Sequence, residues 1–268
     1  MGDRDTRTGE TGTPLVRERI DDRIATITLD SPRNRNALST RLLAELSAAL
    51  DRALAADAVR VIVLTGTGPV FCSGADLKEQ RIEPGGAVSA PVTGALPDIM
   101  RTIWDSPKPV ICRLNGTARA GGLGLVAACD FAFAPLSATF AFSEVRLGVV
   151  PAMISVTCLR RLDPRAAAEY FLTGEVFDAA RAAEIGLLTR AVPDEELDAT
   201  VARYAEMLLK GGPQALAVTK RLVRQVPLLT LEEGMRQMAE LSAERFTSEE
   251  GQEGIRALLE KRPPRWAV

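Results

Sequence analysis

The sequence predicts one α/β core with a helical appendage. Three observations carry this reading. Runs of strand length, apolar or alternating, recur from Leu15 to Phe142; helical spacing prevails from Pro151 onward; no long linker or internal repeat divides the 268 residues. With 46% hydrophobic and 25% charged residues, the chain can bury a sizeable core.

The elements follow in order. Residues 1–14 are polar and rich in Gly and Thr, with no apolar stretch of a secretory signal, and are expected to form a disordered tail. Leu15–Ile20 and Arg23–Leu29 flank Asp21-Asp22 as a hairpin, the second arm alternating Ala25, Ile27 and Leu29 with Thr26 and Thr28. Ser39 caps a helix whose apolar face is Leu42, Leu43, Leu46, Ala49, Leu50, Ala53 and Leu54. Arg60–Thr65 is a continuous apolar run, as in a strand covered on both faces. Residues 79–97 hold Gly, Pro, Ala and Ser without a period and predict a mobile surface segment. Pro97–Trp104 reads as a helix, Val110–Leu114 as a buried strand, Leu123–Cys129 as a short apolar helix, and Phe131–Ala134 and Thr139–Phe142 as strands. Beyond Pro151, Asp178 caps Ala179–Ile185, Asp194 opens a helix to about Lys210, and Pro213 starts another. Leu231–Phe246 and Glu253–Lys261 complete the set. The core spans 15–200, and 201–268 is a helical region of the same domain.

Composition excludes whole classes of chemistry. The chain has no histidine, so it has no Ser-His-Asp or Cys-His nucleophile, no imidazole ligand and no imidazole base. Catalysis is left to carboxylates, backbone dipoles, Lys, Tyr or Cys. Cys72, Cys112, Cys129 and Cys158 lack any CxxC spacing and read as core thiols in a reducing compartment, the cytoplasm; no metal site is expected. A net charge of −2, a pI near 5.5 and no stripe of Lys and Arg interleaved with aromatics argue against nucleic acid. No apolar run approaches the ~18 residues of a membrane span.

Three segments can carry chemistry. Phe71-Cys72-Ser73-Gly74-Ala75-Asp76-Leu77-Lys78 follows a predicted strand, and its small residues let a ligand approach free amides; an ordinary turn with a cap at Asp76 is the plainer alternative. Asn115-Gly116-Thr117-Ala118-Arg119-Ala120-Gly121-Gly122-Leu123-Gly124-Leu125 leads into an apolar helix, whose first amides favour developing negative charge. Gly122-x-Gly124-x-x-Ala127 matches a loose dinucleotide fingerprint, but these glycines do not directly follow the strand and the helix is too short. In Thr139-Phe140-Ala141-Phe142-Ser143-Glu144-Val145-Arg146-Leu147-Gly148, Glu144 stands among apolar neighbours that would raise its pKa; an ion pair with an Arg is the alternative.

In this order, with Asn36-Ala37-Leu38 before them and Thr173-Gly174, Phe177-Asp178-Ala179 and Ser248-Glu249-Glu250 after, the segments resemble the enoyl-CoA hydratase/isomerase (crotonase) family from about Leu15 to the C-terminus. The resemblance implies a crotonase (ClpP-like) spiral of ββα units, with C-terminal helices that trimerise, and trimers that often pair into a hexamer. It implies an acyl-CoA thioester as substrate and no cofactor beyond the coenzyme A it carries. The oxyanion-hole amides fall on Ala75 and Gly121 and the catalytic carboxylate on Glu144, while Ala37, Asp76, Leu77, Lys78, Gly122 and Gly124 would line the substrate site.

The sequence departs from the family pattern in three places. The two-glutamate hydratases carry a second catalytic Glu where this chain has Gly124. Members similar to methylglutaconyl-CoA hydratases also have Gly there, and their substrate is branched. Val150-Pro151-Ala152-Met153-Ile154-Ser155 replaces a glycine-rich stretch and points to an unusual acyl pocket, and Arg119 stands where relatives carry an apolar residue or Gly. Arg119 could reach a CoA phosphate or an acyl carboxylate, or face solvent or a subunit interface; Arg33 and Arg35 could contact a phosphate or stay solvated. Hydration of a short or branched enoyl-CoA is the expected activity. Δ3,Δ2-enoyl-CoA isomerisation and a catalytically silent acyl-CoA-binding fold are the alternatives.

Overall fold

The computed structural model describes residues 12–79 and 94–267. Most of the expected N-terminal tail (1–11) and of the Gly/Pro-rich segment (80–93) lies outside the described residues, as does residue 268. The chain opens with β1 (Val16–Asp21) and β2 (Ile24–Leu29), an antiparallel hairpin in which Asp21 pairs with Ile24. Its turn is centred on Asp22-Arg23, one residue later than the sequence suggests. Both residues take positive φ (44° and 65°), the twist that suits a two-residue hairpin. Then come α1 (Thr40–Ala55), β3 (Val61–Gly66) and β4 (Val70–Cys72). The Ser39 side chain accepts from the Leu42 N–H and caps α1 as expected.

Three passes of one pattern build the core. After β3 and β4 the chain runs α2 (Leu96–Asp105), then β5 (Val110–Arg113), β6 (Thr117–Arg119) and α3 (Gly121–Ala128), then β7 (Phe131–Pro135), β8 (Thr139–Ala141) and α4 (Ala152–Cys158). Each pass lays one strand in a large sheet, one in a small sheet, and then a helix. α5 (Pro164–Thr173), β9 (Phe177–Asp178), α6 (Ala179–Glu184), β10 (Arg190–Val192) and α7 (Leu197–Leu209) complete the core. The large sheet is ordered β1-β2-β3-β5-β7-β10, and the small one β4-β6-β8-β9. β2, β3, β5, β7 and β10 are mutually parallel, as are β4, β6 and β8, the consequence of crossing through a helix at each pass. This is the spiral of ββα units that the resemblance implied.

The small sheet is where sequence reading fell short. β4 and β6 have three residues each and no readable alternation, and the sequence shows them only as parts of glycine-rich segments. α3 starts at Gly121, two residues ahead of expectation. Seven of its eight residues are buried, so it is a core helix without a polar face. Asp178 caps α6 through the Arg181 N–H. Asp194 opens a short 3-10 turn, Asp194–Glu196, that runs directly into α7, and its carboxylate accepts from the Ser137 N–H and hydroxyl. α7 straddles residue 200 and packs Leu197, Val201 and Ala205 against Val61, Val63, Ile111 and Phe133 of the large sheet.

The chain ends in α8 (Pro213–Gln225), α9 (Leu231–Thr247) and α10 (Glu249–Leu259). α10 begins four residues ahead of expectation because Ser248 caps it, accepting from the Gly251 N–H. One ionic cluster bolts α8 to the core. Asp130, just past α3, pairs with Lys220 at 2.7 Å and Arg224 at 2.6 Å and accepts from the Val110 N–H. Arg224 also lies over the Trp104 ring at 4.0 Å. Burial holds the Lys220 ammonium below its usual pKa while Asp130 opposes that shift. Asp130→Ala would leave two buried cations unpaired, so urea titration should show a loss of about 3 kcal/mol.

Candidate active site

The site forms where β4 ends beside the start of α3. Asn36, fully buried, anchors the loop beneath it: Oδ1 accepts from the Ser31 N–H, and Nδ2 donates to the carbonyls of Thr67 and Val70. The next residues bridge to the chain beyond β4. The Leu38 N–H donates to the Gly74 carbonyl at 2.8 Å, and the Asp76 N–H to the Leu38 carbonyl at 3.4 Å. Those two bonds flank Ala75, whose own N–H therefore points away from Leu38 and has no acceptor among the described residues.

Gly74 brings this edge against α3. It has φ +91°, and a Cβ there would lie 2.9 Å from Ala120 Cβ and 3.6 Å from the Gly121 nitrogen. Ala120 is itself strained for a non-glycine residue, at φ 46° and ψ −123°, with its N–H donated to the Ala141 carbonyl at 3.2 Å. That turn presents Gly121 as the first residue of α3, where an N–H has no intrahelical acceptor; among the described residues it has none at all. The Ala75 and Gly121 amides are thus two free donors on adjoining backbone, and donors so placed can stabilise an oxyanion.

The other expected lining residues fall into two groups. Ala75, Leu77 and Lys78 are exposed and Asp76 is half-buried, its carboxylate accepting from Asn34 Nδ2 at 2.6 Å and the Lys78 N–H at 3.0 Å. Ala37 and Gly122 are buried, with Gly122 packed on Cys72.

Glu144 begins a single 3-10 turn, Glu144–Leu147, that follows β8 and closes at Gly148 with φ 72°. Because β8 pairs with β6 through Arg119 and Ala141, this turn stands beside the one leading to Gly121. Glu144 Oε2 is buried with no hydrogen-bond partner among the described residues, and burial raises its carboxyl above the usual carboxylate range. Such a carboxyl exchanges protons near neutral pH more readily than an ordinary one. Among the described residues the ion pair offered as an alternative does not form; the Arg146 Nε donates to the Thr173 carbonyl instead. All four cysteines are free and buried. Burial pushes the Cys158 thiol up, and the nearby Glu144 charge adds to that rise.

Position 124 explains itself structurally. A Cβ on Gly124 would meet Ile154 Cγ2 at 2.6 Å and Met100 Sδ at 2.7 Å. Ile154 and Met100 therefore fill the space next to α3 into which a side chain at 124 would project. Behind them, the buried Thr157 hydroxyl donates to the carbonyls of Gly124 and Ile154, each at 3.2 Å. Ile154 belongs to the segment whose departure from glycine signalled an altered pocket, but nothing in the sequence tied Met100 to this place. Gly124→Glu alone should lower thermal stability by roughly 1–3 kcal/mol through overpacking, and adding Ile154→Ala should recover part of that loss. Differential scanning calorimetry of both variants checks it.

Arg119 is held within the small sheet. Its guanidinium donates to the Thr139 carbonyl at 2.6 Å and the Thr139 hydroxyl at 2.9 Å. Arg33 and Arg35 are exposed.

This backbone crossing, over a spiral of ββα units, defines the class of protein. The family model described as enoyl-CoA hydratase/isomerase matches residues 19–268. The chain belongs to that family. Among curated relatives, the mitochondrial enoyl-CoA hydratase domain-containing protein 3 of Homo sapiens is 34% identical over 247 residues, 92% of this chain and 81% of that one. Among solved structures, an enoyl-CoA hydratase of Mycobacterium smegmatis superposes with a TM-score of 0.86 at 33% identity, covering 96% of this chain and all of that one. An enoyl-CoA hydratase of Mycobacterium avium is 42% identical with a TM-score of 0.71, covering 95% of this chain and all of that one.

Proposed function

We propose that the protein is a one-glutamate enoyl-CoA hydratase acting on a short or branched 2-enoyl-CoA. The observation that carries this reading is the pair of unsatisfied amides at Ala75 and Gly121, set side by side by Gly74 and by the strained Ala120. The thioester oxygen accepts from both. Glu144 takes a proton from water as the water oxygen bonds to C3, and the negative charge collects on the thioester oxygen as an enolate. Glu144 then returns a proton to C2, so the net change is addition of one water. Two preorganised donors lower the barrier where the charge develops, at about 3–4 kcal/mol for one such donor. The reaction calls for no metal or redox group, and coenzyme A enters as part of the substrate.

The packing at Gly124 supports a single carboxylate, which is also all that a Δ3,Δ2-enoyl-CoA isomerase requires. The enoyl-thioester absorbance separates the readings. A hydratase removes it from crotonyl-CoA or 3-methylglutaconyl-CoA, whereas an isomerase creates it from a 3-enoyl-CoA. Tight binding of acyl-CoA with neither change would leave the catalytically silent reading.

The assembly we propose is a homotrimer, or a hexamer of two trimers. α8, α9 and α10 contribute only Gly234, Glu253 and Ala257 as buried residues, and they expose Val223, Leu231, Met235, Phe246, Leu258 and Leu259. Sedimentation equilibrium should give three or six times 28.8 kDa. We place the protein in the cytoplasm, where its four free thiols stay reduced. Among the described residues no helix is long and apolar enough to cross a membrane.

A further inference from the structure

A cleft of about 320 Å³ opens between α2 and α4, lined by Pro97, Met100, Trp104, Met153, Val156 and Thr157, with Arg101 and Arg160 beside them. Its volume is at the lower end for a small-molecule site, and its lining is mostly apolar. Two of its walls, Met100 and Thr157, also border Gly124: Met100 fills the space off its α-carbon, and Thr157 holds its carbonyl. The cleft therefore reaches the Gly124 side of α3, with the Met100 thioether between them, the kind of unbranched side chain that repacks easily.

The cations in the cleft differ. Arg101 already pairs with Asp98 at 2.9 Å. Arg160 donates one bond, to the Val156 carbonyl, and has no carboxylate partner among the described residues. Arg160 is exposed, and a guanidinium holds a carboxylate through two parallel bonds.

We propose that this cleft receives the end of the acyl group remote from the thioester, and that Arg160 selects acyl groups ending in a carboxylate. The proposal rests on the reading of the protein as an acyl-CoA enzyme and names the class of substrate: the CoA thioester of a dicarboxylic acid. Met100 sets how far the chain passes.

Binding tests this without turnover. Saturated ligands matched in length, glutaryl-CoA against valeryl-CoA and adipyl-CoA against hexanoyl-CoA, are titrated calorimetrically into the full-length protein. In at least one pair the carboxylate-ended ligand should bind about tenfold more tightly. Arg160→Ala should bring that ratio to within about twofold of unity, and Arg160→Lys should retain part of it. Trp104 reports occupancy of the cleft: in a Trp266→Phe background its fluorescence should change with the preferred acyl-CoA and not with coenzyme A alone. Equal affinities within both pairs in the wild type would overturn the proposal, as would a preference that survives Arg160→Ala. A changed sedimentation mass in Arg160→Ala, with the preference intact, would make the cleft a contact between copies and also overturn it. A clear preference without hydration of any enoyl-CoA would sink the hydratase reading and leave the cleft assignment standing.

Discussion

Glu144→Gln is expected to lower kcat by a factor of about 10³–10⁴, the upper range for loss of a positioned acid and base. The amide keeps the shape of the carboxyl, so the affinity for a saturated acyl-CoA should stay within a few-fold of wild type. Wild-type kcat/KM should rise with pH along a limb that lies above the usual carboxylate range, since Glu144 must be ionised to accept the proton of water and burial raises its pKa. The residual rate of the variant should lack that limb. Stability should move the opposite way. The folded chain holds the Glu144 proton to higher pH than the unfolded chain does, so the wild type loses stability as pH climbs from the ordinary carboxylate range through the raised value. Glutamine carries no such cost. Its Tm advantage over the wild type should therefore be larger at pH 7 than at pH 4, a trade of stability for activity at one buried oxygen. A Glu144→Gln variant that turned over at the wild-type rate would remove this carboxyl from the mechanism.

The parts of the fold that the sequence revealed are those with long or capped elements. α1 was legible because seven apolar residues, six of them buried, recur at helical spacing behind a Ser39 cap, and β3 because it is a continuous apolar run that the structure buries from Val61 to Thr65. Of the small sheet only β8 was legible, inside the run Thr139–Phe142; β4 and β6 were not, because a three-residue strand embedded in a glycine-rich segment, such as Thr117–Arg119, leaves no window in which a period can be counted. Its role emerges only in pairing: β6 aligned with β8 is what sets the Gly121 turn beside Glu144.

The candidate site divides in the same way. The proposed backbone donors and carboxylate sit in contiguous motifs, so the family resemblance could assign each a position in the sequence. What occupies the space beside Gly124 comes from α2 and α4, elements some 24 residues before it and 30 after, and side-chain volume meeting across such separations leaves no local signal. Arg119 shows the converse. Its chemistry left a ligand, solvent or an interface open, and the structure shows Thr139, across the strand pair, accepting from the guanidinium.

Ala75→Pro is the second large effect. A prolyl nitrogen has no hydrogen to donate, so the substitution deletes one of the two free amides while the other remains on Gly121. Among the described residues the native Ala75 N–H has no acceptor, and the bridge to Leu38 runs through the Gly74 carbonyl and the Asp76 N–H, so none of the bonds described there is lost. Gly74, lacking a Cβ, is also the neighbour best able to precede a proline. The expected result is a fall in kcat of about 10²–10³ with the affinity for saturated acyl-CoA changed only a few-fold, because the missing donor acts chiefly on charge that appears in the transition state. Gly74→Ala provides an independent check by geometry. Its methyl would press on Ala120 at 2.9 Å and sit at a φ of +91° that alanine rarely adopts, forcing the edge at Ala75 and the start of α3 apart. If the two amides act together on one oxygen, combining Ala75→Pro with Gly74→Ala should cost far less than the product of the single losses. Once one donor is gone, separating it from the other has little left to break. Two fully multiplicative losses would mean that the amides serve different groups, and the oxyanion site would have to be placed elsewhere.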